Sequence, residues 1–503
     1  RALHHESPDV HSDAVVRDSS VEWRPYPGVP SVLAGSNGNY AHHPLWYRSF
    51  LYDADRALGR DHVEDLVSPG AFRFDLARGE ALLVLTTTDG LQAMQAHAAA
   101  RAVGLPGFVS PTRGDPEGAL QTIRESERAA RSEFPTPLHR AADAYLLRRG
   151  DQGAIAAGYP RVLASSRETF ACIRGLCLAT DRFEDAKRIL LPWIRTLDQG
   201  LFPTTFPEPG RQPRYDSVDA PLWFIMAAHE LLRASVESRR RLTAGERNTL
   251  RGAIEAILPW YVEGTRYRIR MDEDGLLAAG EPDARVTWMD KACGTIAPRI
   301  GKAVEVQALW LNALRAGTEI SGQWSSFYER ARASFERRFW NEANATLYDV
   351  IDFNHERGTT DASIRPNAIL AVAGLPYPVL EGARARDVVD TAEKQLLTPM
   401  GLRAGPHDDP AAPRLAWPWM MGPFVEAWVA VRGGTAEARA EARERFLSPL
   451  LTRSAQGGPG HGGLGHLPES VDPDPPYAER GAPFYALSVA EALRLDQVVL
   501  ARS

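Results

Sequence analysis

The sequence predicts a mainly α-helical protein: an (α/α)6 toroid, six inner and six outer helices over residues 137–503, preceded by a β-rich segment over residues 1–90. Three observations carry this expectation. Helical periodicity dominates from about residue 137 onward. Two kinds of helix alternate there, one apolar and one charged on its faces. Each apolar helix follows a loop rich in aromatic and polar residues, as expected if those loops share one mouth.

The first segment has short apolar runs between turn signals such as Tyr26-Pro27-Gly28, Ser36-Asn37-Gly38-Asn39 and Ser68-Pro69-Gly70. Runs of that length, bounded by Gly, Pro and Asn, read as strands. The run 82–88 reads as a closing strand, and the Ala-, Arg- and Glu-rich stretch 91–136 as a helical linker. Apolar helices are then expected to start near Arg167, Val218, Ala303, Pro366, Pro418 and Ala482. Charged helices are expected near His139, Glu184, Ala244, Gly322, Arg384 and Thr435. Six of one kind alternating with six of the other is what two concentric rings produce.

Composition narrows the partners. The 503 residues carry 58 basic against 64 acidic groups, a net of −6, with no basic block, which argues against nucleic acid. Apolar runs such as 222–228 are too short to span a bilayer. Three cysteines, Cys172, Cys177 and Cys293, make no disulfide framework, so a reducing, cytoplasmic location is expected. No signal peptide is visible, but the chain starts at Arg1 without methionine, so a lost leader stays open. His4-His5 and His42-His43 lack a metal-ligand frame and read as loop residues; neither metal nor organic cofactor is expected. Nothing in the sequence fixes an oligomeric state.

Chemistry centres on Asp290 and Glu469, each ending a polar, aromatic-flanked loop that runs into an apolar helix. Two carboxylates brought from separate loops into one cleft are what glycosidic bond hydrolysis needs: one protonates the leaving oxygen, the other activates water or attacks the sugar. The alternative is that each is a helix cap or a surface acid. The loops before the apolar helices add Tyr159, Tyr215, Asp219, Trp288, Arg365, Asn367, Trp417 and Trp419 as candidate sugar contacts. Helix N-termini at the same mouth present partial positive charge. The Gly- and Pro-rich stretch 456–481 is expected to be an ordered mouth-lining loop, with Tyr477 or His466 near the sugar.

Several long strings carry a family resemblance: Gly200-Leu201-Phe202-Pro203, Leu222-Trp223-Phe224, residues 271–276, Thr287-Trp288-Met289-Asp290, residues 295–305, residues 397–403 and residues 417–424. On these, and on Trp46-Tyr47-Arg48 and residues 64–70 in the first segment, the chain resembles the amylo-α-1,6-glucosidase region of bacterial and archaeal glycogen debranching enzymes. The resemblance implies a toroidal catalytic domain over 137–503, preceded over 1–90 by the last part of a β-sandwich domain. It implies release of glucose from α-1,6 branch stubs of glycogen-like glucans, with Asp290 as general acid and Glu469 as general base. In an inverting enzyme their carboxyls stand roughly 6.5–9.5 Å apart, leaving room for water.

The chain departs from the family pattern in its first loop. After Tyr159-Pro160 the family has Trp-Gly-Arg-Asp-Thr; this chain has Ser165-Ser166-Arg167-Glu168-Thr169. Arg167 and Glu168 are therefore candidate sugar contacts with a longer acid and no Trp. Asn367 precedes Ala368 where Gln is usual, and residues 412–416 and 482–487 also differ. These changes point to weakened debranching or to another α-glucoside or oligosaccharide; a glycan binder with little turnover is a further alternative. Epimerisation would need paired catalytic histidines, and His461 and His466 offer only a Gly-rich loop.

Overall fold

The computed structural model describes residues 5–17, 20–53, 56, 61–77, 79–87, 116–149, 152–160, 164–207, 212–237, 242–292, 299–456 and 465–501. Contacts divide the chain into two compact units, Arg1–Phe134 and Pro135–Ser503.

The first unit holds strands β1 (Ala14–Arg17), β2 (Ser20–Trp23), β3 (Val32–Ser36), β4 (Asn39–Leu51), β5 (Val63–Arg73) and β6 (Leu83–Thr87). A four-stranded sheet has the order β1-β2-β3-β6, antiparallel throughout, with Val32 opposite Thr87. The expected closing strand is β6. Strands β4 and β5 form a separate antiparallel pair with register shifts between His42 and Leu45 and between Tyr47 and Phe50. His42 and His43, expected in a loop, belong to β4: His42 pairs opposite Gly70, and His43 lies in the register shift that follows before pairing resumes at Leu45. Trp23, Tyr40 and Phe72 pack edge-on or tilted, and the Trp23 indole N–H donates to the Tyr40 hydroxyl at 3.1 Å. Of the expected linker, residues 91–115 lie outside the described residues; a helix runs from Pro116–Ser132.

In the second unit, six apolar segments touch in a closed cycle. Ser166–Cys172, continued by a π-helical stretch Ile173–Leu178, packs on Ala220–Glu237. That helix packs on Val304–Ile320, which packs on Pro366–Ala371, then Met421–Val431, then Ala486–Arg494. The last returns to Ser166–Cys172 and its π continuation. The close approach is possible because residue 175 is glycine: a Cβ there would lie 1.9 Å from the Ala490 carbonyl oxygen. The fourth segment is only a 3-10 stretch, because Gly374 (φ +86), Pro376 and Pro378 follow it and end helical growth.

Outside this cycle lie Pro137–Asp143, Phe183–Ile194, Ala244–Glu263, Ser325–Arg338, Gly382–Gln395 and Ala436–Ala442, each in contact with one or two cycle members. Burial separates the two sets as the sequence pattern requires. In Val304–Ile320 only four residues escape full burial, whereas Ser325–Arg338 buries Ala331, Ser334 and Phe335 alone. Their N-termini differ too. Thr136, Thr243 and Thr435 cap outer helices with their hydroxyls, and Thr243 forms a capping box with Glu246. Ser166–Cys172, Val304–Ile320, Met421–Val431 and Ala486–Arg494 have no side-chain cap bond. Backbone carbonyls take the first amides of three of them instead: Thr204 that of Ser166, Asp349 that of Val304 and Ala157 that of Ala486. Among the described residues, no helix is long and apolar enough to cross a membrane, and no group of three or more His, Cys, Asp or Glu is placed to hold a metal ion.

Candidate active site

Residues of the six cycle segments, or of the loops leading into them, surround one cavity of about 130 Å³. Arg167, Glu168 and Ala171 come from the first segment and Trp223 from the second. Glu305 and Leu309 come from the third and Leu370 from the fourth. Trp417 and Trp419 precede the fifth, while Glu469, Tyr485 and Leu487 lead into the sixth. Trp288 adds the wall between the second and third. The volume equals about four waters at roughly 30 Å³ each, below the roughly 300–1,000 Å³ of sites for drug-sized ligands.

The first loop is tied down by charge. Asp219, fully buried, receives the Arg167 Nε at 2.8 and 2.9 Å, the Ser217 hydroxyl at 2.6 Å and the Trp288 backbone N–H at 2.9 Å. The Arg167 Nη2 also donates to Ser217 Oγ at 3.0 Å, while Nη1 has no hydrogen bond among the described residues. Burial opposes this guanidinium's charge, but Asp219 and Glu168 outweigh it and hold its pKa above the ordinary value. Glu168 takes a hydrogen bond from the Ser165 hydroxyl and another from the Tyr485 hydroxyl at 3.1 Å. Desolvation, Glu168 and Glu469 together push the Tyr485 phenol well above its usual range.

Glu469 stands at the foot of a small antiparallel hairpin, Ser470–Val471 against Glu479–Arg480. Its N–H donates to the Ala482 carbonyl at 2.8 Å, and its Oε2 accepts the Ala482 N–H at 2.9 Å. Gly481, at φ +72, leaves this carboxylate its place: a Cβ there would fall 2.3 Å from Oε2. Ser488 fixes the Pro468 carbonyl at 2.8 Å and Tyr485 N–H fixes that of Leu467 at 2.8 Å. Of the expected mouth-lining loop, residues 457–464 lie outside the described residues. His466 bonds the Tyr145 hydroxyl at 2.8 Å and Tyr477 lies under the Arg453 guanidinium; neither lines the cavity.

One wall is aromatic. Trp288 meets Trp417 and Trp419 edge-on, both at 4.9 Å between centroids. The Trp288 indole N–H is buried with no partner among the described residues.

Asp290, expected opposite Glu469, does not line the cavity. It is 1% exposed, on the short helix Trp288–Ala292. Its Oδ2 accepts the Thr287 N–H at 3.2 Å and its Oδ1 the Arg299 N–H at 3.0 Å, so the carboxylate is turned onto the backbone of its own loop. Arg365 and Asn367 sit behind the wall on Asp349, at 3.4 and 3.0 Å. Arg299 joins the same network, bonding Glu305 (Nη2 to Oε2 2.8 Å) and Asp349 (Nε to Oδ2 2.6 Å). Burial disfavours the Arg299 charge, but Asp349 and Glu305 keep its pKa well above the ordinary value. Tyr159 donates to the Ala144 carbonyl, and Tyr215 lies under the Arg266 guanidinium at 4.7 Å; neither lines the cavity.

The structure thus gathers Arg167, Glu168, Trp288, Trp417, Trp419 and Glu469 around the space. Asp219 is joined to them through Arg167. Sequence reasoning missed Trp223, Glu305 and Tyr485. Their signal was positional: each sits in or just before the first turns of a segment whose other loop residues were singled out.

Residues 140–413 match the family described as Amylo-alpha-1,6-glucosidase, and residues 1–83 match Glycogen debranching enzyme N terminal. The chain is similar to the glycogen debranching enzyme of Saccharomyces cerevisiae (strain ATCC 204508 / S288c), 23% identical over 339 residues, with 50% of this chain covered. The chain spans 22% of the length of that relative. Among solved structures, an uncharacterized conserved protein from Thermus thermophilus superposes with a TM-score of 0.51 at 15% identity, covering 71% of this chain and 99% of that one. A GH63 mannosylglycerate hydrolase from the same organism gives a TM-score of 0.49 at 14% identity, with the same coverage.

Proposed function

The chain belongs to the amylo-alpha-1,6-glucosidase family, and we propose that it is a glycosidase releasing glucose from α-1,6 branch stubs of glycogen-like glucans. We read the closed cycle of six segments with its outer helices as an (α/α)6 toroid. The observation that carries the functional reading is the cavity at the N-termini of the cycle. It is a small space with tryptophan walls and Glu469 held at its edge by Ala482. A space this small suits the end of a glucan rather than its middle. Glu469 acts as the base, activating water. The buried thiols of Cys172 and Cys177 suit the expected cytoplasmic location.

For the acid, the family resemblance assigns Asp290. Its carboxylate must then leave the Thr287 and Arg299 amides when substrate enters. A second reading rests on one observation: Glu168 lines the cavity with Glu469, whereas Asp290 does not. In that reading Glu168, oriented by the hydroxyls of Ser165 and Tyr485, takes up a proton from solvent and gives it to the leaving oxygen.

The test is glucose release from a branched limit dextrin, with linear maltooligosaccharides as comparison. Glucose is expected from the dextrin, far less from the linear chains, and none from Glu469→Gln. Dextrin binding without glucose release would replace hydrolysis with glycan binding. Asp290→Asn and Glu168→Gln separate the two acids. Loss of the true acid spares an activated aryl glycoside, whose leaving group needs little protonation, far more than it spares the dextrin.

A further inference from the structure

A second, wider space lies beside the sugar cavity. It is a groove of about 1060 Å³ lined by part of the segment 264–274 and part of the segment 352–358, together with Lys302, Arg337 and Arg338. The two spaces share one stretch of chain: Lys302 lines the groove and Glu305, three residues on, lines the cavity.

The groove is cationic in a chain that is net acidic. Six of its lining residues are Arg or Lys and four are Asp or Glu. Three of the acids are already spent. Asp272, Asp274 and Asp352 hold the Lys302 ammonium at 3.0, 2.9 and 2.8 Å. Asp274 and Asp352 also bind Arg338. Arg268, Arg337 and Arg357 are left with no carboxylate partner among the described residues, and Arg270 reaches Asp272 only at 3.6 Å.

The backbone of both walls is held in an unusual state. Ten non-glycine residues of the described chain have positive φ, and five of them fall here: Tyr267 (59°), Arg268 (54°), Asp352 (50°), Asn354 (55°) and His355 (62°). Left-handed backbone at non-glycine residues is strained and concentrates at ligand clamps. Here it turns Arg268 into the groove from one wall and brings Asp352 and His355 to it from the other. Neutral glycan surfaces rely on aromatic platforms, yet no Trp, Tyr or Phe lines this groove. Forked guanidinium groups facing a common space match the oxygens of a phosphoryl group.

We propose that this groove binds a phosphate-bearing ligand beside the sugar cavity, held by Arg268, Arg270 and Arg357. Phosphate free in solution and phosphate esterified to the glucan share that chemistry. The inference stands apart from the glycosidase reading, since binding needs no turnover.

Inorganic phosphate titrated into the full chain by calorimetry at low salt tests it. Saturable binding in about the millimolar range is expected. It should weaken at least about tenfold in the Arg268→Ala/Arg357→Ala double variant, weaken less in Arg268→Lys/Arg357→Lys, and fall with added salt. A thermal melt checks that the variants stay folded. Absence of saturable binding in the wild type, or equal binding in the folded alanine variant, overturns the proposal. A second arm names the source by comparing KM for a phosphorylated limit dextrin before and after phosphatase treatment. A lower KM with phosphate present, lost in the alanine variant, assigns glucan-linked phosphate; equal KM values alongside saturable phosphate binding assign the free ion.

Discussion

Gly481 leaves the Glu469 carboxylate no spare room, and that makes it a sharp probe of the proposed base. A Cβ at this position would press on Oε2 from 2.3 Å, in a backbone state (φ +72) that alanine adopts poorly. Gly481→Ala is expected to lower kcat by about tenfold to a hundredfold with the fold intact, because a displaced base loses alignment with the attacking water. Circular dichroism beside steady-state kinetics checks this, and unchanged kcat would remove Glu469 from the chemistry. Arg167→Lys belongs to the same scale. It withdraws the fork from Asp219, leaving a fully buried carboxylate poorly paired, and about 3–5 kcal/mol of stability should be lost. Chemical denaturation reads that loss. At this scale the sequence was legible where a polar residue sits in a first helical turn or in the loop before a helix, as Arg167, Glu168 and Glu469 do. It was not legible for Asp290. Whether a carboxylate faces the cavity or folds back on its own amides is decided by a few torsions, and residue type and spacing leave those open.

Helices were easier to read than side-chain directions, because burial on every face leaves a continuous apolar run whereas burial on one face leaves a charged stripe. Val304–Ile320 and Ser325–Arg338 show that contrast side by side. The fourth cycle segment was harder. Pro366 marks its start well, but its early end depends on Gly374 and two prolines, which compete with an otherwise apolar helical pattern. The two-residue strands between helices, such as Lys302–Ala303 paired with Val350–Ile351, were not legible at all, since pairing that short has no period. One of them positions a titrating cluster. Burial alone would raise the Asp352 carboxyl; the Lys302 ammonium, the Gly358 amide and the Arg338 guanidinium outweigh it and hold it at about 2. With the folded pKa below the unfolded one, the stabilisation is present above the ordinary carboxylate range and is lost as pH falls toward 2. Asp352→Asn should therefore be less stable at neutral pH and show a flatter loss of stability between about pH 4 and 2. Denaturation midpoints across that window check the sign.

At the scale of the whole molecule the cycle stands or falls at one join. Gly175 on the first member touches the Ala490 carbonyl on the last. Gly175→Ala forces the two apart, with an expected loss of about 1–3 kcal/mol from overpacking and a matching fall in Tm. Activity should fall with it, because Glu168 and Tyr485 lie on the two sides of that join. The bond between those residues spans 317 positions of chain. A ribosome adds about 5–20 residues each second, so roughly 15–60 s separate the birth of the two partners. Throughout that interval the nascent protein carries a wall without its facing wall, and Glu469 has only just been made when the gap begins to close. On the proposed site, catalytic competence is thus a clock as well as a shape: glucose release waits until Ala486–Arg494 has docked on Ser166–Cys172.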